Sequence, residues 1–308
     1  MQLEAFCERT GCEGPASVHD HPVVCDPLAL DWSAVELPDA WPDSLNWWSP
    51  LNWPPLLRSV LGRPARAIVP DGLPGRSWIP KYLLQEFHRL PNGNYSKRVT
   101  RGYITGFDYF MLGEMRRARE RIAQDMQSCE RVLDVGCGGG QTAQLLVDSG
   151  AREVWGIDPS PYLLQHAARS FPSVKFVQGL AEDLRFPVAR FDGVVACFLL
   201  HELPPRVAVR ALREFHRVLK PGGKLALCEP SPEQLRQSSW PLLKHYGWRG
   251  AYFRLLAKVM HEPFVTAWHR QDAVDWLKRI GFAVIEDRIG MPTRYLLAEK
   301  LDTRDGVA

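Results

Sequence analysis

The chain has 308 residues, of which 45% are hydrophobic and 24% are charged, and its formal net charge at pH 7 is +3. These values are ordinary for globular proteins and exclude a disordered or fibrous chain. So small a net charge does not point to a nucleic-acid-binding protein, which usually concentrates basic residues on one face. No apolar run approaches the roughly 20 residues that a membrane-spanning helix needs, and the first residues lack a signal-peptide pattern, so we expect a cytoplasmic protein without a membrane span.

The first 94 residues are rich in tryptophan and proline, as in "ELPDAWPDSLNWWSPLNWPPLL". Because proline fixes φ and removes a backbone donor, this Trp- and Pro-rich N-terminal extension is predicted to be irregular, with short helical turns at best. Its tryptophans must bury their area, and the nearest large apolar surface is the rest of the chain. Residues 1–94 are therefore expected to cap the following domain or to provide a contact for a homodimer.

Five metal-ligating side chains stand close together near the start of the chain. They are Cys7, Cys12, His19, His21 and Cys25. Their number would suffice for a tetrahedral zinc ion. The spacing of the first two cysteines is wider than in the usual zinc knuckle, and no second close cysteine pair follows, so no metal is assigned and the zinc alternative stays open.

Helical spacing begins near residue 95, where large apolar side chains recur at intervals of three and four. They are Phe107, Phe110, Met111, Met115 and Ile122. The pattern predicts a helix within residues 95–126. The arginines of this segment, from Arg98 to Arg121, form either a solvated helix face, which we favour, or a surface that follows nucleic-acid phosphates.

From residue 131 onward, short β-branched runs alternate with helical patterns. The runs VLDV, EVWGID, VKFVQG, GVVACFLL and KLALCEP are predicted strands, and their alternation with helices indicates βαβ units and a parallel sheet. An irregular stretch is predicted over residues 231–267, followed by a helix at residues 270–280. FAVIEDRIG and RYLLAEK are the two last predicted strands.

A glycine-rich turn follows the first of these strands, in "DVGCGGG", with glycines at 136, 138, 139 and 140. Glycines let a backbone approach a ligand closely, and the following helix N-terminus offers free N–H groups; a turn without a ligand is the alternative. A dinucleotide fingerprint would require glycine where Gln141 stands, and the P-loop lysine is absent. Asp134 would repel a pyrophosphate but suits an ammonium. The turn therefore predicts a cationic ligand without phosphate.

These residues resemble the first motif of class I S-adenosylmethionine (SAM)-dependent methyltransferases, in particular the small-molecule branch with the ubiquinone and menaquinone enzymes. The resemblance implies an α/β fold with a doubly wound, seven-stranded mixed sheet of order 3-2-1-4-5-7-6, whose last strand is antiparallel. It implies a methyltransferase domain over residues 95–300, a substrate-cover insertion at about 231–269 and a tail at 301–308. It also implies SAM as cofactor, S-adenosylhomocysteine as product, and in-line transfer of a methyl group to an O, N or S atom of a small-molecule acceptor.

The resemblance assigns the cofactor to the crevice at the carboxyl ends of the strands. The implied contacts are Asp134, Gly136, Gly138, Gly140, Asp158, Ala181, Glu182 and Phe198. Asp158 matches the acid that holds both ribose hydroxyls in this family. Leu180 departs from the pattern, because many relatives carry aspartate there, and the adenine amine must then be held by Glu182, Asp183 or backbone.

The methyl acceptor needs a general base if its nucleophile is a hydroxyl or an ammonium. His201 and Glu202, in "LLHELP" after the fourth strand, are the first candidates, and Glu229 is the second. The alternative for His201 is a turn-capping or pocket-lining role without proton transfer. Candidate substrate contacts, for which plain packing is the alternative, are Tyr103, Tyr109, His245, His261 and Trp268.

Two other functions stay open at this stage. An RNA-modifying methyltransferase would need the arginines between Arg98 and Arg121 on one basic face, although nucleic acid is not the expected partner. A SAM-binding protein without transferase activity would keep the glycine turn and Asp158.

Overall fold

The computed structural model of the protein describes residues 30–302. The possible metal ligands Cys7, Cys12, His19, His21 and Cys25 lie outside the described residues, as does most of the predicted tail. Across the described part of the chain, no helix combines the length and apolarity needed to cross a membrane.

The described residues form one seven-stranded sheet of order β3-β2-β1-β4-β5-β7-β6. The strands are β1 Arg131–Val135, β2 Glu153–Asp158, β3 Lys175–Gln178, β4 Phe191–Cys197, β5 Leu219–Pro230, β6 Phe282–Ile289 and β7 Thr293–Lys300. The first five strands pair in parallel, and β7 runs antiparallel between β5 and β6. The predicted α/β class, strand order and antiparallel last strand are confirmed.

Helices cover both faces of the sheet. They are α1 Trp41–Ser44, α2 Trp53–Leu61, α3 Lys97–Phe110, α4 Glu114–Asp125, α5 Gln141–Asp148, α6 Pro161–Ser170, α7 Pro205–Val218, α8 Glu233–Arg236, α9 Ser239–Tyr246, α10 Trp248–Val259, α11 Val265–His269 and α12 Ala273–Ile280. Ser160 caps α6, with Pro161 in its first turn, where a missing N–H costs nothing. Side chains alternate along β1, so Val132 and Leu133 are buried in different core clusters. The core therefore lies on both sides of the central strands, and their carboxyl ends share one edge.

Two segments differ from the sequence-based prediction. The helical pattern within residues 95–126 forms two helices, because Leu112 and Gly113 take left-handed φ angles of 52° and 75° between α3 and α4. The segment predicted to be irregular over residues 231–267 contains α8, α9, α10 and the start of α11. Its tryptophans, prolines and glycines stand at helix ends, where they do not break the helical periodicity.

The described part of the N-terminal extension, residues 30–94, packs on the sheet domain. Trp32 is buried in the core cluster that contains Ile122 and Leu146. The Tyr162 hydroxyl on α6 donates a hydrogen bond to the Pro38 carbonyl at 2.8 Å. As predicted, short helices and turns dominate this segment, with the nine-residue α2 as the longest.

Candidate active site

The glycine turn lies where β1 meets α5, and its backbone demands glycine. Gly136, Gly138 and Gly140 have φ angles of 70°, 52° and 83°. A Cβ on Gly140 would stand 2.9 Å from Phe171 and Phe176, and a Cβ on Gly136 would stand 2.9 Å from Leu199. Positive φ therefore favours glycine at all three positions, and close packing adds to this at Gly136 and Gly140.

Two buried carboxyl groups lie beside this turn. Asp158, at the end of β2, accepts hydrogen bonds from the backbone N–H of Gly138 at 3.0 Å and of Ser160 at 2.9 Å. Burial raises its pKa to about 7, although the two hydrogen bonds oppose the rise. Burial also raises the pKa of Asp134 to about 7, against the opposing charge of Arg119. Among the described residues, the buried Asp134 Oδ2 has no hydrogen-bond partner, which is unusual for a buried polar atom.

A polar crevice of about 130 Å³ opens at the carboxyl ends of β1, β2 and β4. Its walls include four predicted cofactor residues, Gly136, Gly138, Asp158 and Phe198. Asp134, Gly140, Ala181 and Glu182 are not among its lining residues within the described chain. Ala181 belongs to the core, and Glu182 accepts a hydrogen bond from the Tyr82 hydroxyl. The structure therefore brings the turn and the β2 acid together, and it places the predicted adenine residues elsewhere.

An apolar cavity of about 380 Å³ adjoins the crevice. Its lining comes from the N-terminal extension, from α3 and from α10, with Leu56, Val60, Leu256 and Met260 among the residues. Tyr103, Phe107 and Phe198 line both the cavity and the crevice. The two spaces therefore share an aromatic wall.

His88, from the extension, lies where these spaces meet. Its Nε2 is 2.8 Å from Glu202 Oε1, its Nδ1 is 3.6 Å from Glu262 Oε1, and its ring stacks on Tyr103 with centroids 5.4 Å apart. Burial alone would lower the pKa of His88, but the hydrogen bond to Glu202 and the charges of Glu202 and Glu262 raise it above the ordinary value. His88 lines the apolar cavity and Glu202 lines the crevice, so this pair spans the junction.

His201 is fully buried in the turn that follows β4. Its Nδ1 is 2.7 Å from Glu229 Oε2, and Glu229 also accepts hydrogen bonds from the backbone N–H groups of Leu199, Leu200 and His201. Burial opposes protonation of the imidazole, but the hydrogen bond and charge of Glu229 outweigh it and raise the pKa of His201 to about 9. His201 lines neither of the two spaces described above. This geometry fits a protonated histidine that holds the β4 loop.

Only one of the five predicted substrate residues lines either space, and it is Tyr103. Tyr109 is 80% exposed, and His245 is exposed on α9. Trp268 is buried against Trp276, 6.0 Å between ring centroids, and so acts in packing. His261 contributes its backbone carbonyl to the N–H of His88 at 2.9 Å.

Sequence reasoning missed His88 and Glu262. His88 stands in "QEFHRL", which carries no motif, and its partner Glu202 is 114 positions away. Glu262 follows α10 in a segment predicted to be irregular. No local signal identifies either residue, because only the fold brings them together.

Comparison with known proteins places these features in a family. A family model described as a methyltransferase domain matches residues 132–223. An uncharacterized methyltransferase from Synechocystis is 44% identical over 111 residues, which cover 36% of this chain and 50% of that protein. A demethylmenaquinone methyltransferase from Beutenbergia cavernae is 32% identical over 198 residues, which cover 62% of this chain and 79% of that protein.

For two curated relatives, the match spans only about half of their own length. It covers 50% of the Synechocystis protein and 49% of a demethylmenaquinone methyltransferase from Chlorobaculum tepidum. Among solved structures, a SAM-dependent methyltransferase from Mesorhizobium loti superimposes with a TM-score of 0.42 at 20% identity, over 55% of this chain and 90% of that one. The relative from Beutenbergia cavernae is matched over most of its length, and on that ground the chain belongs to the class I SAM-dependent methyltransferase family.

Proposed function

We propose that the protein transfers the methyl group of SAM to a small, largely apolar acceptor. The observation that carries this proposal is the aromatic wall of Tyr103, Phe107 and Phe198, which lines both the polar crevice and the apolar cavity. A cofactor in the first space and an acceptor in the second would meet at this wall. Proximity of this kind supplies much of the rate enhancement in a displacement reaction.

The residues of the crevice fit SAM. The two Asp158 oxygens suit the paired ribose hydroxyls, because each carboxylate oxygen can accept a further hydrogen bond beside its backbone N–H. Asp134 does not line the crevice, but its unpartnered Oδ2 would suit a cationic ammonium group that reaches it directly or through water. Gly136, Gly138 and Phe198 line the crevice. Gly140, Ala181 and Glu182 do not line it, so we assign them structural roles rather than direct contacts with the cofactor. When bound, SAM supplies an electrophilic methyl group on a sulfonium.

The apolar cavity suits an acceptor with a flat or aliphatic body. Its walls are mostly aliphatic and aromatic, and its polar lining residues include His88, Arg98, Ser231, Gln234, Glu262 and His269. Of these, His88 pairs with Glu202 of the crevice, so it would orient an amphipathic molecule with its polar atom toward the crevice. The names of the demethylmenaquinone methyltransferase relatives agree with an acceptor of this kind.

His88 and Glu202 are the proposed proton-transfer pair. If the His88 Nε2–H donates to Glu202, Nδ1 carries the lone pair and takes a proton from an O–H or N–H acceptor. The new bond joins the acceptor atom to the methyl carbon, the carbon–sulfur bond breaks, and the proton goes to the imidazole. A sulfur acceptor would need no such base. We assign His201, with Glu229, to positioning of the loop that carries Glu202.

Ion pairing of the arginines supports a small molecule over RNA. Arg116, Arg117, Arg119 and Arg121 each lie within 2.6–2.9 Å of a carboxylate oxygen. The guanidinium of Arg98 lies over the Trp47 ring. A surface that follows phosphates would instead keep its cations available.

Methyl-labelled SAM tests the proposal. The purified full chain is incubated with it and with separate lipid-soluble, water-soluble, RNA and protein fractions of a cell extract, and the label is followed by mass spectrometry. We expect label in a lipid-soluble small molecule. Label in RNA alone would contradict the proposal, and bound SAM without label in any fraction would favour a binding protein.

A further inference from the structure

Large apolar side chains are exposed on the segments that line the apolar cavity and on α9, which packs against the cavity-lining helix α10. We define the rim surface as six exposed residues from the segments around α2 and around α9 and α10. They are Trp48, Leu51, Leu61, Trp240, Trp248 and Leu255, with exposed fractions of 92%, 87%, 75%, 74%, 63% and 61%. Scattered apolar residues are common on protein surfaces, but a concentration of large ones indicates an interaction site.

The two segments meet at the cavity. Leu56 and Val60 of α2 and Leu256 of α10 line the cavity from inside. The Arg89 side chain donates hydrogen bonds to the carbonyls of Val60 at 3.1 Å and of Val259 at 2.7 Å, and so joins the ends of α2 and α10. The outer faces of these helices therefore flank the cavity together.

The charge of this surface has one sign. Residues 44–70 and residues 234–261 contain no aspartate or glutamate. Exposed basic side chains within the same segments are Arg58, Arg63, Arg66, Arg236, Lys244 and Lys258. Tryptophan and leucine flanked by lysine and arginine is the composition of surfaces that lie in the headgroup region of a bilayer.

We propose that the rim surface docks on the surface of an anionic lipid bilayer. The tryptophans and leucines enter the interface, and the arginines and lysines contact lipid phosphates. The mouth of the apolar cavity then opens toward the hydrocarbon region, so an apolar acceptor reaches His88 without crossing water. Docking does not depend on methyl transfer, and binding to vesicles measures it separately from activity.

Vesicle flotation with the full chain tests this proposal. Vesicles of phosphatidylcholine alone are compared with vesicles that also contain phosphatidylglycerol. The chain is expected to float with the anionic vesicles and much less with the neutral ones. The combined variant Trp48→Ser, Leu51→Ser and Trp240→Ser is expected to bind the anionic vesicles at least about tenfold more weakly, since each buried side chain of this size contributes strongly.

A matched control replaces exposed apolar residues elsewhere, Val188→Ser and Ile285→Ser, which are 66% and 57% exposed. It should bind like the original chain, and melting temperatures verify that each variant is folded. A second variant, Arg58→Gln with Lys244→Gln and Lys258→Gln, leaves the apolar residues intact and should lose the preference for anionic vesicles.

Three results would overturn the proposal. They are absence of binding to anionic vesicles, equal binding by the triple serine variant and the control, and a homodimer in sedimentation that the serine substitutions dissociate. The last result would assign the rim surface to a second copy of this chain.

Discussion

At the scale of single residues, His88 is held in a costly position. Its φ of 55° lies in the left-handed region, where a residue other than glycine costs roughly 1 kcal/mol or more. Its ring is fixed by the hydrogen bond to Glu202 and by stacking on Tyr103. Backbone strain that is held by several contacts is frequent at functional sites. The strain therefore agrees with a role of His88 at the junction of crevice and cavity.

The pH dependence of methyl transfer should report the proton-transfer pair. A base acts only when it is deprotonated, and Glu202 raises the pKa of His88, so kcat/KM should increase with pH through a pKa above the ordinary 6.5. Glu202→Gln removes the negative charge, so the rising limb should move to lower pH. His88→Gln should lower kcat about 100-fold or more, the usual contribution of general base catalysis.

The control for this profile is Glu120→Gln, which changes a partly exposed glutamate paired with Arg116 on α4. It should leave the pH profile unchanged. If Glu202→Gln leaves the pH profile of kcat/KM unchanged while the protein still binds SAM, His88 and Glu202 do not transfer the proton. A profile without a limb, together with full activity of His88→Gln, would point to a sulfur acceptor.

Cofactor affinity should depend on Asp158. Asp158→Ala removes a carboxylate that would accept two charge-assisted hydrogen bonds from the ribose, worth about 1.5 to 3 kcal/mol each. SAM should bind at least about tenfold more weakly in calorimetry, allowing for partial compensation by water. Asp148→Ala, an exposed aspartate at the end of α5, is the control. Equal affinities would contradict the assignment of the crevice.

Ionised Asp134 should lower the free energy of unfolding when no cofactor is bound. Its pKa is raised by burial from 3.8 to about 7, so the folded state holds a proton more tightly than the unfolded state. The resulting penalty is absent below about pH 4, grows as pH rises and is complete above pH 7. Asp134→Asn cannot ionise and should raise the free energy of unfolding at pH 8 by about 1 to 3 kcal/mol, after the cost of an unpaired amide.

Thermal unfolding without SAM at pH 8 and pH 4 measures this effect. The extra stability of Asp134→Asn over the original chain should vanish at pH 4. The same variant should bind SAM more weakly, because an amide does not pair with an ammonium as a carboxylate does. An advantage of the same size at both pH values would show that the charge of Asp134 is not its cause.

At the scale of elements, the β1 to α5 turn combines two constraints that substitution can separate. Gly140 and Gly150 both have positive φ, 83° and 102°, but only Gly140 is closely packed, since a Cβ on Gly150 would meet no described atom within 4 Å. Gly150→Ala should therefore cost about 1 to 2 kcal/mol from φ alone. Gly140→Ala should cost clearly more, about 3 kcal/mol or above, because the sites of Phe171 and Phe176 must also shift.

Urea unfolding of both variants gives the comparison directly. The difference between them is the packing contribution, since the conformational cost is common to both. Equal losses of stability would mean that α6 and β3 relax around the added methyl group.

The sheet could be predicted from sequence, whereas some helices could not. Strands with β-branched runs, a glycine turn and an acid at the end of β2 are local signals, and family resemblance supplied their order. The break between α3 and α4 depends on Leu112 taking a positive φ, which no pattern indicates. Helices α8 to α11 were missed because tryptophan, proline and glycine at their ends obscure the periodicity.

At the scale of the whole molecule, the N-terminal extension completes the site. Leu83, Phe87 and Asn94 line the crevice, and His88 lines the apolar cavity. The cofactor half of the site could be predicted, because the turn and Asp158 are close in sequence and carry a motif. The acceptor half could not, because it joins the extension to α3 and α10 through contacts between distant positions. We therefore propose that residues 30–94 act as part of the enzyme rather than as a separable cap.

Arg89 should stabilise the contact between the N-terminal extension and the insertion at residues 231–269. Its guanidinium group donates hydrogen bonds to the carbonyls of Val60, Gly62 and Val259 at 2.7–3.1 Å. Hydrogen bonds from a charged group contribute about 1.5 to 3 kcal/mol each, and a cation beside helix C-termini adds to this. Arg89→Ala should therefore loosen the ends of α2 and α10 together, while the sheet is unaffected.

Hydrogen–deuterium exchange measured by mass spectrometry can detect this. In Arg89→Ala, amides of residues 53–62 and 248–260 should exchange faster, and those of β1 and β4 should not change. The KM for the acceptor should rise several-fold with unchanged SAM affinity, because α2 and α10 line the apolar cavity and not the crevice. Arg58→Ala, an exposed arginine on α2, is the control. Faster exchange in only one of the two segments would mean that apolar contacts, and not Arg89, couple the extension to the insertion.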